Sequence, residues 1–131
     1  MYDGTVLHEA LVERLGKTPP CFCDVLVDAR DHREGTCRGQ RAALAKLTGL
    51  KGATVWLVAG QRTSRKYPGT MHRKALIIDD EVAFTGGANA TGQSLRNDEL
   101  VLKVGGPIVH DIRRKVWAVK KRAVKLSRET V

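Results

Sequence analysis

Residues Met71–Asn89 read MHRKALIIDDEVAFTGGAN. Lys74 to Ile78 is apolar after its first residue, Asp79-Asp80-Glu81 is turn-like, and Val82 to Thr85 is a second short apolar run. Two such runs joined by acidic turn residues predict a β-hairpin. Side chains alternate along a strand, so His72 and Lys74 share one face and Arg73 takes the other. Imidazole can attack phosphorus or shuttle a proton near neutral pH. A neighbouring ammonium offsets charge that builds on phosphate oxygens toward the transition state. Asn89 follows Gly86-Gly87-Ala88, small residues that let the backbone and the asparagine amide approach a ligand closely.

Asp79 stands an odd number of residues from Lys74, which turns it to the opposite face and favours a structural job at the turn. Glu99 opens the next apolar run, ELVLKV. If that run lies beside the hairpin, its carboxylate can accept from the second ring nitrogen of His72 and fix the tautomer, as the acid of a catalytic triad does. Each of these residues has an ordinary reading in isolation: a surface histidine, a strand-edge lysine, turn aspartates. Their order and spacing together point to a phosphate-ester site.

Toward the N-terminus the chain alternates helix and strand patterns. Leu7, Ala10, Leu11 and Leu15 recur at helical spacing after Asp3 or Thr5 as cap. Lys17-Thr18-Pro19-Pro20 breaks that helix, and Phe22 to Asp28 reads as a buried strand. Asp31 to Gly35 reads as polar loop. Thr36 then caps a helix carrying Ala43, Leu44, Leu47 and Leu50, and Ala53 to Ala59 is a second buried strand. Two helix–strand units in a row predict an α/β layer structure with a mixed, mostly parallel β-sheet flanked by helices.

Gly60 to Thr70, GQRTSRKYPGT, reads as a polar, basic loop that holds Arg62, Arg65 and Lys66. Beyond Gly105-Gly106-Pro107, Ile108, Ile112, Val116, Val119 and Ala123 set out a last helix whose other faces carry Arg113, Arg114, Lys115, Lys120, Lys121, Arg122, Lys125 and Arg128.

The 131 residues suffice for one domain, 1–131, with one core. Net charge is +9, from 23 Lys+Arg against 14 Asp+Glu, which favours polyanionic partners: nucleic acid or an anionic lipid surface. No apolar run approaches the roughly 20 residues of a membrane span, and the opening residues lack the features of a signal peptide, so a cytoplasmic location is the default expectation. Cys21, Cys23 and Cys37 are odd in number and spaced C-x-C, which gives neither a disulfide framework nor a zinc knuckle; no metal site is expected.

The spacing His72-x-Lys74-(x)4-Asp79-(x)6-Gly86-Gly87-x-Asn89 resembles the H-K-D signature of the phospholipase D superfamily, and the flanking order of helices and strands fits it from about residue 2 to 125. The resemblance implies a metal-independent phosphodiesterase without cofactor, acting on nucleic acid or phospholipid through a phosphohistidine. It implies His72 as nucleophile or acid/base, Lys74 and Asn89 as phosphate ligands with Gly86 and Gly87 beneath them, Asp79 in support and Glu99 orienting the histidine. Arg62, Arg65 and Lys66 extend the approach surface and favour nucleic acid. Such a site needs two motifs and this chain has one, so a homodimer sharing one site is expected, or a second H-K-D half in a longer chain.

Three departures from the family pattern stand out. Gly87 replaces the usual Ser or Thr, Ala90 replaces an aromatic, and the strand that usually precedes the first helix is not evident. A missing first strand leaves a sheet edge open. These departures motivate a second reading, a catalytically weak or inactive module of the same fold that binds nucleic acid or anionic lipid.

Overall fold

Helix α1 (Val6–Leu15) leads into strand β1 (Cys23–Asp28), and α3 (Gln40–Thr48) leads into β2 (Ala53–Val58), with the short α2 (Ala29–Glu34) between the two units. Strands β3 (Ala75–Ile78) and β4 (Val82–Gly86) form the hairpin, and β5 (Val101–Gly105), α4 (Ile108–Ala118) and β6 (Ala123–Lys125) complete the chain. The computed structural model describes residues 2–60 and 71–127. Arg62, Arg65, Lys66 and Arg128 lie outside the described residues.

The strands form two three-stranded sheets, β1-β2-β6 and β3-β4-β5. β1 runs parallel to β2, with Val25 opposite Val55 and Asp28 opposite Val58. A crossover through the intervening helices α2 and α3 allows that parallel pairing. The mixed α/β architecture is the expected one; among the described strands β1–β2 is the parallel pair, and an isolated bridge between Tyr2 and Ala90 is parallel too. The β2–β6, β3–β4 and β4–β5 pairs are antiparallel, because a tight hairpin and a returning C-terminal segment supply them.

The core is centred on Leu44 and Leu47 of α3, both fully buried, with Val27, Val55, Tyr2 and Leu126 around them. Leu7, Leu11 and Leu15 pack on it from α1. Removing either buried leucine side chain to Ala costs about 2–5 kcal/mol, from lost transfer energy plus the cavity left behind.

Three elements differ from the sequence expectation. The segment read as polar loop, 31–35, lies within α2, apart from its last residue. Asp28 caps α2 by accepting from Arg30 N and Asp31 N at 2.9 Å each, and Gly35 closes it in the left-handed conformation at φ 66°. Thr36 does not cap α3; Gly39 holds the N-cap position. The last helix stops at Ala118. Val119–Arg122 tightens into a 3₁₀ turn and Ala123–Lys125 becomes β6. The open edge of β2 competes for that segment's backbone and wins it, and Leu126 N then donates to Val55 O at 2.9 Å. Lys120 lies over the Trp56 and Trp117 rings, its ammonium 4.4 and 4.1 Å from their centroids.

Candidate functional site

The hairpin brings the motif residues to one of its ends. Ala75 pairs with Thr85 and Gly86 with Val101, so His72, Lys74 and the turn after β4 meet at the end opposite the Asp79-Asp80 turn. Thr85 Oγ1 donates to Lys74 O at 2.9 Å, which locks the start of β3 to β4. Met71 N donates to the buried carboxylate of Asp28, anchoring the approach to His72 on the end of β1.

His72 is exposed and Lys74 half-buried. The Lys74 ammonium lies 2.8 Å from His72 Nδ1 and 3.1 Å from Nε2, and it donates to His72 O at 2.9 Å. Partial burial holds the lysine below its ordinary pKa, against the raising effect of the Glu99 and Asp31 carboxylates. Arg73 points away from this pair and donates to Lys115 O on α4; His72, Arg73 and Lys74 lie in the approach to the hairpin rather than on the expected strand, because β3 begins only at Ala75.

Asn89 sits in the loop after β4. Its backbone N–H donates to Ser94 Oγ at 3.0 Å, and the buried Ser94 also receives Thr91 Oγ1 at 3.3 Å. The N-terminal segment braces the same loop: Asp3 N donates to Ala90 O, and Gly92 N donates to Asp3 Oδ2 at 2.8 Å.

The two glycines differ in what they touch. A Cβ on Gly86 would fall 2.1 Å from Leu100 O, a backbone atom, whereas one on Gly87 would fall 2.5 Å from Glu99 Oε2, the tip of a side chain. Glu99 is exposed and receives Asn97 Nδ2 at 3.4 Å; the ring partner of His72 in this structure is Lys74.

Asp79 is not part of this cluster. It and Asp80 are the central residues of the hairpin turn, at φ 54° and 57°, with Glu81 N donating to Ile78 O at 3.0 Å. Aspartate tolerates that left-handed region better than most residues. The length of β3, roughly 13 Å, separates the turn from Lys74. Asp80 also binds Arg113 at 3.0 Å, fixing the turn to α4.

Asp28 and Ser94 are positioning residues that sequence reading passed over. Each carried a local signal: an acid at the junction of an apolar run and a polar segment, and the Thr91-x-x-Ser94 spacing of a side-chain-capped turn. The remaining histidines stand elsewhere. His8 and His32 are buried in the body of the domain, and His110 lies in the first turn of α4, near the turn end of the hairpin. Among the described residues no three histidine, cysteine or acidic side chains converge. The three thiols are free, and burial pushes Cys23 in β1 up to about 11, which keeps it protonated and unreactive. No helix among the described residues is long and apolar enough to cross a membrane.

The profile of the family described as cardiolipin synthase, PLD-like domain, matches residues 7–119. Among solved structures, NucT from Helicobacter pylori superposes with a TM-score of 0.65 at 17% identity, over 90% of this chain and 89% of that one. A phospholipase D family member, Nuc from Salmonella typhimurium, superposes with a TM-score of 0.62 at 16% identity, over 79% of this chain and 63% of that one. No curated protein matches the chain.

Proposed function

The chain belongs to the phospholipase D-like domain family, and from that premise we propose that it hydrolyses phosphodiester bonds through a histidine–phosphorus intermediate, in a dimer whose two copies share one site. The observation that carries this reading is the His72–Lys74 pair on an exposed ledge beside the Gly86–Asn89 loop.

A phosphate arriving there offers oxygens to the Lys74 ammonium and the Asn89 amide. Lys74 then exchanges the ring nitrogen for a phosphate oxygen, which frees the lone pair of His72 for attack. The His72–phosphorus bond forms as the phosphorus–oxygen bond to the leaving group breaks, and a histidine on the far side gives that oxygen its proton. Water next attacks phosphorus, its proton passes to the far histidine, and the phosphohistidine bond breaks. Both histidines return to their starting states.

Within one copy no second histidine lies at this end of the hairpin, since His8, His32 and His110 are all committed elsewhere. A second copy related by a two-fold axis supplies it. Nucleic acid is the favoured substrate. The net charge of +9 and the exposed Arg114, Lys115, Lys121 and Lys125 on α4 and the segment after it suit a polyanion longer than one headgroup.

The test is hydrolysis of bis(p-nitrophenyl) phosphate in EDTA, then of single-stranded DNA, RNA and cardiolipin vesicles side by side. Activity that survives His72→Ala overturns the nucleophile. Cleavage of cardiolipin alone overturns the nucleic-acid assignment. Salt-sensitive DNA binding without turnover or a trapped phosphohistidine supports instead a non-catalytic module, the reading that Gly87 motivates.

A further inference from the structure

The chain has two tryptophans, and the fold brings both to one place on its surface. Trp56 lies on β2 and Trp117 in the last turn of α4, and each is half-buried and outside the main core cluster. Lys120, in the 3₁₀ turn after α4, carries its ammonium over both rings, 4.4 Å from the Trp56 centroid and 4.1 Å from that of Trp117. The indole N–H of Trp56 donates to Asp24 Oδ1 on β1 at 2.8 Å. That bond uses the ring edge and fixes the ring's orientation, which leaves the ring face for stacking contacts.

Cations surround the pair. Lys125 stands directly opposite Trp56 in the antiparallel β2–β6 register, so the two side chains share a sheet face. Lys121 follows Lys120 in the chain, and both Lys121 and Lys125 are exposed. Among the described residues, Lys120, Lys121 and Lys125 stand in no salt bridge. Asp24, held by the Trp56 indole, brings a negative charge to the cluster but does not offset theirs. Half-exposed indole faces among unpaired lysines match a ligand that is aromatic and anionic at once. Nucleic acid is both, but a duplex stacks its base faces against one another, and only unpaired bases present them to a protein ring.

We propose that Trp56 and Trp117, with Lys120, Lys121 and Lys125 around them, form a stacking platform for the unpaired bases of single-stranded nucleic acid. The cavity beside His72, Lys74 and Asn89 is bordered by neither ring, so the platform is a holding site apart from the reacting atoms. A base lying on either ring displaces the Lys120 ammonium, which turns to the phosphate beside that base. A cation–π contact at an exposed site is weaker than a base stack, so the exchange favours the bound state. Lys121 and Lys125 receive neighbouring phosphates. The platform rests on the nucleic-acid reading of the substrate and deepens it, since it selects single strands over duplex.

The experiment is a fluorescence titration of the His72→Ala chain, which reads binding without turnover. Both tryptophans of the chain belong to the platform, so their emission reports on it directly. A short oligo(dT) is expected to quench that emission saturably, and the same oligonucleotide annealed to oligo(dA), or a base-free polyphosphate, to leave it unchanged. Binding of oligo(dT) seen by anisotropy without quenching overturns the platform, as does no binding at all, or equal quenching by duplex or polyphosphate. A blue shift on cardiolipin vesicles with no response to oligo(dT) assigns the rings to a lipid surface and overturns it too. Trp117→Leu is expected to weaken oligo(dT) binding about 5- to 100-fold, the loss of one base stack, and Trp117→Phe to stay within about threefold of the parent. Unchanged affinity in Trp117→Leu overturns the proposal, and the titration of the unaltered rings decides it even where that variant does not fold. Lys121→Gln combined with Lys125→Gln is expected to lower the slope of log K against log salt by about 1.4, and an unchanged slope removes the two lysines from the platform. The unmodified chain separates the two readings: cleavage of single-stranded DNA in a chain that shows no quenching keeps the catalytic reading and removes the platform, and quenching without cleavage does the reverse.

Discussion

Among the described residues the side-chain hydrogen bonds of Lys74 all go to His72, so its removal is expected to separate chemistry from stability. Lys74→Met is expected to lower kcat/KM by about 10²–10³, the usual loss when one transition-state donor is removed. It should leave the thermal midpoint within about 2 °C, because a half-buried lysine replaced by an apolar chain of similar length costs little. Parallel kinetics and calorimetry check this, and a midpoint that falls with activity would make Lys74 a structural residue. The two glycines give opposite outcomes from the same change. Gly86→Ala drives a Cβ into Leu100 O and is expected to destabilise by about 1–3 kcal/mol. Gly87→Ala meets only the movable tip of Glu99, so stability holds while the carboxylate shifts. If Glu99 acts in the site, Gly87→Ala and Glu99→Gln will be non-additive in kcat/KM; strict additivity would remove Glu99 from it.

The hairpin and the two helix–strand units were legible in the sequence because their apolar residues recur with one period over several residues and end at clear breakers. α2 was not, since six residues with one buried side chain, His32, have no apolar period to read. Its cause is a capping aspartate and a closing glycine, which resemble loop chemistry. β6 was hidden for the opposite reason: the helical period continues formally through Val119 and Ala123, and only the open edge of β2 ends it. In the site, the pairing of His72 with Lys74 was legible although the strand starts only after them, whereas the bracing by Asp28 and Ser94 depends on residues 43 apart and on a folded loop. The hairpin turn carries its own prediction. Asp79 and Asp80 both sit at positive φ, where Asn-Gly is the preferred pair. Asp80→Gly relieves about 1 kcal/mol of backbone cost and loses a half-exposed ion pair worth less than that. The pair Asp79→Asn with Asp80→Gly is therefore expected to hold or raise the thermal midpoint and to keep activity within about threefold. A tenfold loss at an unchanged midpoint would return Asp79 to the site.

At the scale of the whole molecule, charge is unevenly committed. The exposed basic residues leave the surface strongly cationic, while two of the four histidines are sealed inside. Burial holds His8 below the ordinary histidine value, with Lys46 adding to the effect and Glu9 and Asp3 opposing it; His8 Nδ1 also pairs with the Tyr2 hydroxyl at 2.8 Å. Burial likewise depresses His32, aided by Arg41, and its Nδ1 finds no hydrogen-bond partner among the described residues. In the unfolded chain both titrate near about 6.5. Between that value and the depressed folded one, the unfolded state binds more protons, so stability rises with pH across the window. Their contribution is fully present above about pH 7 and is lost as pH falls through the folded values. Urea unfolding from pH 8 down to pH 5 should therefore show a midpoint that falls as the solution is acidified, with the change starting near pH 7 rather than near the carboxylate range. Exchanging one of the pair, His32→Gln, is expected to lower the midpoint at pH 8 and to flatten the profile, since one of the two buried sites no longer titrates. A slope that His32→Gln leaves intact would place the effect on His8 alone, and a wild-type midpoint independent of pH between 8 and 5 would contradict the burial of both rings.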